Sequence, residues 1–283
     1  MTIDLFRYEG KRAIVIGGAT GMGAETARMA GELGAEVIVL DVAPVEYDCA
    51  QKIEVDLRNQ ASVDAAVDAI DGPVHALFAC AGVADGTPGI MLINFTAQRH
   101  FIDRLIAQGK LAKGGAIAFI SSTAGLGWKK NIERVRDFLS NDDWASAARW
   151  TEENPDTDSY GFSKEAINLY VVQQAFPMLK AGYRINAICP GPTVTPLAEA
   201  NADMWLTYAA DFRADAGVDT LQPGQMASTL VFLCSAAASG VNGEMLQVDQ
   251  GHTNASLVDA YEAPIVKMIA GEMEWDFSAL GFE

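Results

Sequence analysis

Short apolar runs alternate with longer helical stretches, and this alternation constrains the fold of the 283-residue chain more than any other feature. Seven runs rich in β-branched residues are predicted as strands: 12–16, 36–40, 52–55, 76–80, 116–120, 184–189 and 244–248. Helices are predicted at 21–33, 62–70, 91–108, 159–179, 198–214 and 225–237. The order predicts an α/β fold with a single doubly wound (Rossmann) parallel seven-stranded sheet and helices on both faces. Ligands are expected at the carboxyl ends of the strands.

Two segments depart from the alternation, although no linker divides the chain, so 1–283 is predicted to be a single domain. The first, 128–158, has apolar residues at helical spacing and is predicted to be a helical insertion before the helix of Tyr160. The second, 252–283, is predicted to be a C-terminal extension. In it Ile265, Ile269 and Met273 are expected on one helical face, before an aromatic finish.

A glycine-rich turn follows the first strand and opens the first helix, in "AIVIGGATGMGAETA". Gly17, Gly21 and Gly23 permit a tight turn, let the backbone approach a pyrophosphate and leave the helix N-terminal amides free to bind it. Asp41 ends the second strand, where an acid meets the ribose hydroxyls of a dinucleotide. Because a carboxylate repels a 2′-phosphate and Val42 offers no arginine to receive one, the sequence favours NAD over NADP.

Two further groups of residues carry candidate chemistry. Ser121 and Ser122 follow an apolar run, so their hydroxyls are expected at the edge of the sheet. Tyr160 and Lys164 lie one helical turn apart in "SYGFSK", on the same helical face. An ammonium near a phenol favours the phenolate, so Lys164 is expected to lower the pKa of Tyr160.

With these motifs the chain resembles the short-chain dehydrogenase/reductases over about 11–251. The resemblance rests on the glycine turn, Asp41, "VDL" at 55–57, "CAG" at 80–82, "SS" at 121–122, "YGFSK" at 160–164, "NAICPGPTVT" at 186–195 and "VDQG" at 248–251. Within this family it is most like the bacterial 3α-hydroxysteroid dehydrogenase/carbonyl reductase group. The chain differs from the family pattern at Ile16, where threonine is usual, and at Ala79 and Cys80, where two asparagines are usual; both departures bear on the bracing of the central strand. It also differs at Gln250, where glycine is usual, which bears on the local turn geometry.

The resemblance implies a catalytic set of Asn94, Ser122, Tyr160 and Lys164. Ser122 would orient the substrate oxygen, and Tyr160 would exchange its proton. Lys164 would hold the nicotinamide ribose and lower the pKa of Tyr160, while Asn94 would help to hold a water of the proton relay. The implied cofactor contacts are Gly17, Thr20, Gly21, Met22, Gly23, Asp41, Asp56, Leu57, Ala81, Gly82, Tyr160, Lys164, Pro190, Thr193 and Thr195.

Composition narrows the classes of partner. The net charge of −17 argues against nucleic acid, which needs a concentrated basic surface. The four cysteines form no Cys-x-x-Cys pair, and the start of the chain has no uninterrupted apolar stretch, so a cytoplasmic protein with free thiols is expected. No membrane span is expected, and the three scattered histidines predict neither a metal site nor a Ser-His hydrolase.

We therefore expect an NAD-dependent oxidoreductase that interconverts a secondary alcohol and its ketone. A hydrophobic substrate such as a hydroxysteroid or terpene alcohol is favoured by apolar residues after the nicotinamide motif, namely Met204, Trp205, Leu206, Tyr208 and Phe212. Enoyl or imine reduction, epimerisation and a non-catalytic NAD sensor remain alternatives. The family implies a homo-oligomer, a dimer or tetramer, and the insertion is expected to alter one of its usual interfaces. The insertion could also wall the substrate pocket.

Overall fold

One parallel sheet forms the centre of the computed structural model, which describes residues 3–274. Its seven strands run in the order β3-β2-β1-β4-β5-β6-β7, and every neighbouring pair is parallel. The strands are β1 (Arg12–Ile16), β2 (Glu36–Asp41), β3 (Gln51–Glu54), β4 (Val74–Ala79), β5 (Leu111–Ile120), β6 (Arg184–Pro190) and β7 (Met245–Val248). The predicted fold class is confirmed. The direction of winding reverses between β1 and β4, which opens a crevice at their carboxyl ends.

Helices cover both faces of the sheet. They are α1 (Gly21–Glu32), α2 (Gln60–Asp68), α3 (Ala97–Ala107), α4 (Ile132–Leu139), α5 (Trp144–Glu153), α6 (Tyr160–Ala181), α7 (Pro196–Glu199), α8 (Ala202–Trp205), α9 (Ala210–Ala216), α10 (Pro223–Cys234), α11 (His252–Leu257) and α12 (Pro264–Ala270). In β1, Ala13 and Val15 pack toward α1 and α10, while Ile14 and Ile16 pack toward α2, α3 and α6. Both faces of the strand are therefore buried, as its continuous apolar run predicts. Within the described residues no helix is both long and apolar enough to cross a membrane.

The predicted helical insertion contains α4 and α5, which pack on the first half of α6. Phe138 of α4 is fully buried, and its ring lies 5.7 Å from that of Phe95, 5.2 Å from Trp150 and 5.8 Å from Phe162. All ten residues from Phe162 to Val171 are buried, so neighbours surround this half of α6 on every side. The second half has an exposed apolar face, on which Phe176 is 74% exposed.

The single helix predicted at 198–214 is wrong. This segment forms three short helices, α7, α8 and α9, and Ala209 between the last two has a φ of 58°, a left-handed conformation that interrupts a helix. Apolar residues of this segment contact different elements. Trp205 lies against Tyr160, whereas Phe212 lies against His252.

The C-terminal segment also differs from its predicted course. Ile265 and Ile269 lie on α12 as expected, but the helix ends at Ala270 and is followed by Gly271, which has a φ of 78°, so the prediction that Met273 shares its face is wrong. The preceding helix α11 had no sequence signal. The predicted aromatic finish, "EWDFSALGF" at 274–282, lies outside the described residues except for Glu274. Gln250 stands where the family usually has glycine, and it adopts a φ of 59°. Glycine suits this position because it adopts a positive φ without steric cost.

Candidate active site

Two adjoining clefts lie at the carboxyl ends of the strands. The first, named the glycine cleft because Gly17, Gly21 and Gly23 line it, has a volume of about 430 Å³. The second, named the tyrosine cleft because Tyr160 lines it, has a volume of about 370 Å³. Predicted residues that line the glycine cleft are Gly17, Thr20, Gly21, Met22, Gly23, Asp41, Asp56, Leu57, Ala81, Gly82 and Thr195. Predicted residues that line the tyrosine cleft are Met22, Ser122, Tyr160, Pro190, Thr193 and Thr195. Met22, Thr195 and Leu197 line both, so the two clefts meet at these side chains.

The turn between β1 and α1 brings backbone amides to the glycine cleft. Gly17 has a φ of 79°, and a Cβ on it would lie 2.4 Å from Ala81 Cα, while a Cβ on Gly23 would lie 2.0 Å from the Gly17 oxygen. Glycine is thus required for the turn to pack. Thr20 caps α1 without a side-chain hydrogen bond, which leaves the first amides of the helix available to an anion. This cradle fits the pyrophosphate of a dinucleotide.

Asp41 lies at the end of β2, beside the glycine turn. Its Oδ2 accepts a hydrogen bond from the Ala19 amide at 2.8 Å, and its Oδ1 accepts one from the Ala43 amide at 3.0 Å. These bonds fix the carboxylate at the wall of the cleft. Because an ionised carboxylate has about four lone-pair sites, acceptor capacity remains for ribose hydroxyls.

Arg58 also lines the glycine cleft, and sequence reasoning missed it. Its guanidinium makes two hydrogen bonds of 3.0 Å to the carboxylate of Asp56 and holds the pKa of that acid below its usual range. The guanidinium is thus already paired with a carboxylate in the cleft. The two residues are separated by one position, a spacing that carries no sequence signal of its own.

Ser122 and Tyr160 both line the tyrosine cleft, although they are 38 positions apart. Ser122 follows β5 and caps the short helical turn Thr123–Lys129, where its Oγ accepts a hydrogen bond from the Ala124 amide at 3.1 Å. Tyr160 is the first residue of α6. The end of one strand and the start of one helix thus bring the two hydroxyl groups to the same cleft.

The expected lowering of the Tyr160 pKa is wrong for this structure. Burial of the phenol raises its pKa to about 12, and this effect exceeds the opposing interaction with the Ser122 side chain. Asp85 and Cys189 raise it further. Helical spacing predicted the approach of Lys164, but it contained no information about burial. The phenol is therefore protonated at neutral pH.

Lys164 lies behind the tyrosine ring and is itself buried. Its Nζ is 5.3 Å from the Tyr160 ring centroid and donates a hydrogen bond of 2.8 Å to the Ile120 carbonyl. Burial lowers its pKa to about 8. It lines neither cleft, yet a Cβ on Gly82 would lie 3.8 Å from this Nζ. Lys164 therefore lies just below the wall of the glycine cleft.

Asn94 is fully buried in a π-helical turn, Leu92–Thr96, which precedes α3. Its side chain bonds both backbone groups of Val83, at 2.8 and 3.1 Å, and donates to Ser163 Oγ at 3.1 Å. The backbone carbonyl of Asn94 accepts a hydrogen bond of 3.0 Å from the buried side-chain amide of Gln98. Asn94 thus braces the loop after β4 and lines neither cleft, so its place in a proton relay stays a prediction. A π-helical turn is frequent at functional sites, but it cannot be recognised from residue spacing here.

The wall of the tyrosine cleft comes from segments that follow the sheet strands. Of the apolar residues expected to shape a substrate pocket, Met204, Trp205 and Tyr208 line the cleft, whereas Leu206 and Phe212 do not. The Trp205 and Tyr160 rings lie 4.8 Å apart. Ile265 and Ile269 of α12 complete this apolar wall. None of the described lining residues belongs to 128–158, so the insertion does not wall the cleft.

The chain matches a family model described as short chain dehydrogenase over residues 11–132 and one described as Enoyl-(Acyl carrier protein) reductase over 145–253. It is 30% identical to the cis-4-hydroxycyclohexanecarboxylate dehydrogenase of Sinomonas cyclohexanicum, an alignment that covers 85% of this chain and 96% of that protein. It is 29% identical to the 3-alpha-hydroxysteroid dehydrogenase/carbonyl reductase of Comamonas testosteroni, over 84% and 95%.

Its fold is also similar to a solved structure, the 3-alpha-hydroxysteroid dehydrogenase from Pseudomonas sp. B-0831 complexed with NADH. That similarity has a TM-score of 0.73 at 25% identity, over 89% of this chain and 100% of the other.

Proposed function

Since this chain belongs to the short-chain dehydrogenase/reductase family, we propose that it is an NAD(H)-dependent oxidoreductase that interconverts a secondary alcohol and its ketone. The observation that carries the proposal is the junction of the two clefts. A nucleotide cradle adjoins a cleft that contains the hydroxyl groups of Ser122 and Tyr160. A ligand bound across Met22, Thr195 and Leu197 would hold two reacting groups next to each other.

The proposed cofactor is NAD(H), supported by the glycine cradle, by Asp41 at the ribose end and by the NADH complex of a structural neighbour. The carboxylate of Asp41 favours NAD over NADP, because it repels a 2′-phosphate. Pairing of Arg58 with Asp56 supports the same choice, since this guanidinium is already engaged by a carboxylate.

In the proposed mechanism Ser122 orients the substrate oxygen and Tyr160 exchanges the proton. Bound NAD would supply the hydride chemistry, as the acceptor of the hydride that leaves the carbinol carbon, with NADH as its reduced product. Tyr160 as phenolate takes the hydroxyl proton, so one alcohol yields one ketone, and the proton then passes to solvent. In the reverse direction the protonated phenol donates to the carbonyl oxygen, the form that a pKa of about 12 favours at neutral pH. Lys164 provides positive charge 5.3 Å from the ring.

The proposed substrate is hydrophobic, such as a hydroxysteroid, a terpene alcohol or a related carbonyl compound. Support comes from the apolar wall that Trp205, Ile265 and Ile269 contribute, and from a relative whose name specifies a hydroxysteroid. The name of another relative specifies a hydroxycyclohexanecarboxylate. A match to an enoyl reductase model over 145–253 makes reduction of an activated double bond the second candidate. Product analysis with a ketone and its α,β-unsaturated analogue separates the two reactions.

A Tyr160→Phe variant tests the mechanism directly. Loss of the group that exchanges the proton should reduce kcat/KM for alcohol oxidation by about 100-fold or more, while calorimetry should show that NAD still binds, with a much smaller change in affinity. Tyr183→Phe is the matched control, because Tyr183 precedes β6 at the end opposite the site. Equal activity of Tyr160→Phe and the wild type would contradict the mechanism. Tight NAD binding by the wild type without turnover of any alcohol or ketone would instead indicate a sensor.

We also propose a cytoplasmic homo-oligomer. The four cysteines are free, which suits a reducing compartment. The insertion covers the first half of α6, while Phe176, Val172 and Leu179 leave an exposed apolar face on the second half. This exposed apolar face supports self-association through the second half of α6. The covered first half supports an interface altered by the insertion.

A further inference from the structure

One charged side chain lies at the wall of an otherwise uncharged tyrosine cleft. Among the described residues that line this cleft, Asp85 alone has a carboxylate, and none has a cationic group. Asp85 belongs to the loop after β4 and is exposed to solvent. No sequence motif marks it, and the reaction of Ser122 and Tyr160 does not use it.

Hydrogen bonds fix the position of Asp85. Its Oδ1 accepts a hydrogen bond of 2.6 Å from the Tyr160 amide, at the first residue of α6. The N-terminus of a helix has a partial positive charge that favours a carboxylate. A second bond joins the same two segments in the opposite sense, because Asp158 Oδ1 accepts from the Met91 amide at 3.0 Å. The loop is therefore tied to the start of α6 at two points, and its negative charge is held beside Tyr160.

No cationic side chain among the described lining residues faces Asp85 within the cleft. Lys164 is buried behind the ring, donates to Ile120 and does not line the cleft. The Ser122 hydroxyl and the Cys189 thiol also act on the phenol, and neither supplies positive charge. Asp85 also raises the pKa of Tyr160, which indicates that its charge is felt at the reacting position.

We propose that Asp85 is a specificity-determining residue that disfavours anionic alcohols and carbonyl compounds and favours neutral or cationic ones. The inference rests on the proposed function only in assigning the tyrosine cleft to the substrate. A carboxylate-bearing ligand would bring a second negative charge beside Asp85, and like charges across an interface oppose binding. An amide of the same shape would not be opposed, and an ammonium would be attracted.

The test uses three probes that share one ring and differ in charge: 4-hydroxycyclohexanecarboxylate, its carboxamide and 4-(aminomethyl)cyclohexanol. Dissociation constants are measured by calorimetry with NADH present, which cannot accept hydride from the alcohol probes, for the wild type and for Asp85→Asn. The asparagine keeps an oxygen that accepts from the Tyr160 amide and removes the charge. Each dissociation constant is divided by that of the carboxamide for the same protein. From the wild type to Asp85→Asn this ratio should fall about tenfold for the anion and rise about tenfold for the cation.

Opposite changes in the dissociation constants of the anion and the cation identify a charge effect, because a change of cleft shape would change both constants in the same direction. Equal or unchanged affinities would overturn the proposal, as would failure of the wild type to bind even the carboxamide. A second measurement needs no variant: raising the ionic strength should weaken the discrimination of the wild type, since Asp85 is exposed. Binding is read without turnover, so the ratios decide the role of Asp85 even if the proposed function is refuted by a lack of turnover of any alcohol or ketone.

Discussion

Truncation of Phe138 should destabilise the whole sheet domain. The side chain is fully buried between the insertion and α6, and it contacts the rings of Phe95, Trp150 and Phe162 at 5.2 to 5.8 Å. Replacing a buried Phe with Ala removes its transfer free energy and leaves a cavity, which costs about 3–5 kcal/mol. The ring contacts account for about 0.5–1.5 kcal/mol each within that total. We therefore expect Phe138→Ala to lower the free energy of unfolding by about 4 kcal/mol.

Equilibrium urea unfolding at one fixed protein concentration measures this change. Phe138→Leu should lose only about 1–2 kcal/mol, because most of the apolar volume remains and mainly the ring contacts are lost. Val258→Ala is the surface control; its side chain is 73% exposed, so a change within about 0.5 kcal/mol is expected. A loss below about 1 kcal/mol for Phe138→Ala would refute the reasoning. It would mean that the insertion is an appendage whose packing on α6 does not stabilise the fold.

Three further changes test the site and the assembly. Asp41→Ala should reduce the ratio of kcat/KM with NAD to that with NADP by at least about tenfold, since the charge that repels a 2′-phosphate is gone; an unchanged ratio would contradict its role. The rate of oxidation should rise with pH, because the Tyr160 pKa of about 12 leaves little phenolate at neutral pH. The rate of reduction should fall above pH 8, because Lys164 then loses the positive charge that stabilises the phenolate left after proton donation. Matched pH profiles of kcat/KM in the two directions check both signs. Phe176→Arg should shift sedimentation toward a smaller species, and an unshifted profile would exclude this face of α6 as an interface.

The sequence predicted best those parts of the site that depend on backbone geometry. The turn at Gly17–Gly23 and the acid at Asp41 are tied to the ends of β1 and β2, and hydrophobic patterns locate those strands well. The spacing of Tyr160 and Lys164 likewise placed them on one helical face. Spacing contains no information about desolvation, however, and burial reversed the expected direction of the Tyr160 pKa.

Contacts between distant loops could not be predicted in this way. Asp85 and Tyr160 are 75 positions apart, and only the packing of two loops brings the carboxylate to the helix amide. The prediction of a single helix over 198–214 failed for a related reason. Its apolar residues occur at helical spacing, but Trp205 and Phe212 are held by different neighbours, so tertiary contacts override the local periodicity.

The side chains shared by the two clefts have a thermodynamic consequence. Met22, Thr195 and Leu197 form part of both walls, so an occupant of the glycine cleft becomes a neighbour of whatever enters the tyrosine cleft. Ordering these three side chains once would lower the cost of the second binding event, which makes the two affinities cooperative. Linkage then requires reciprocity: each ligand must tighten the other by the same factor.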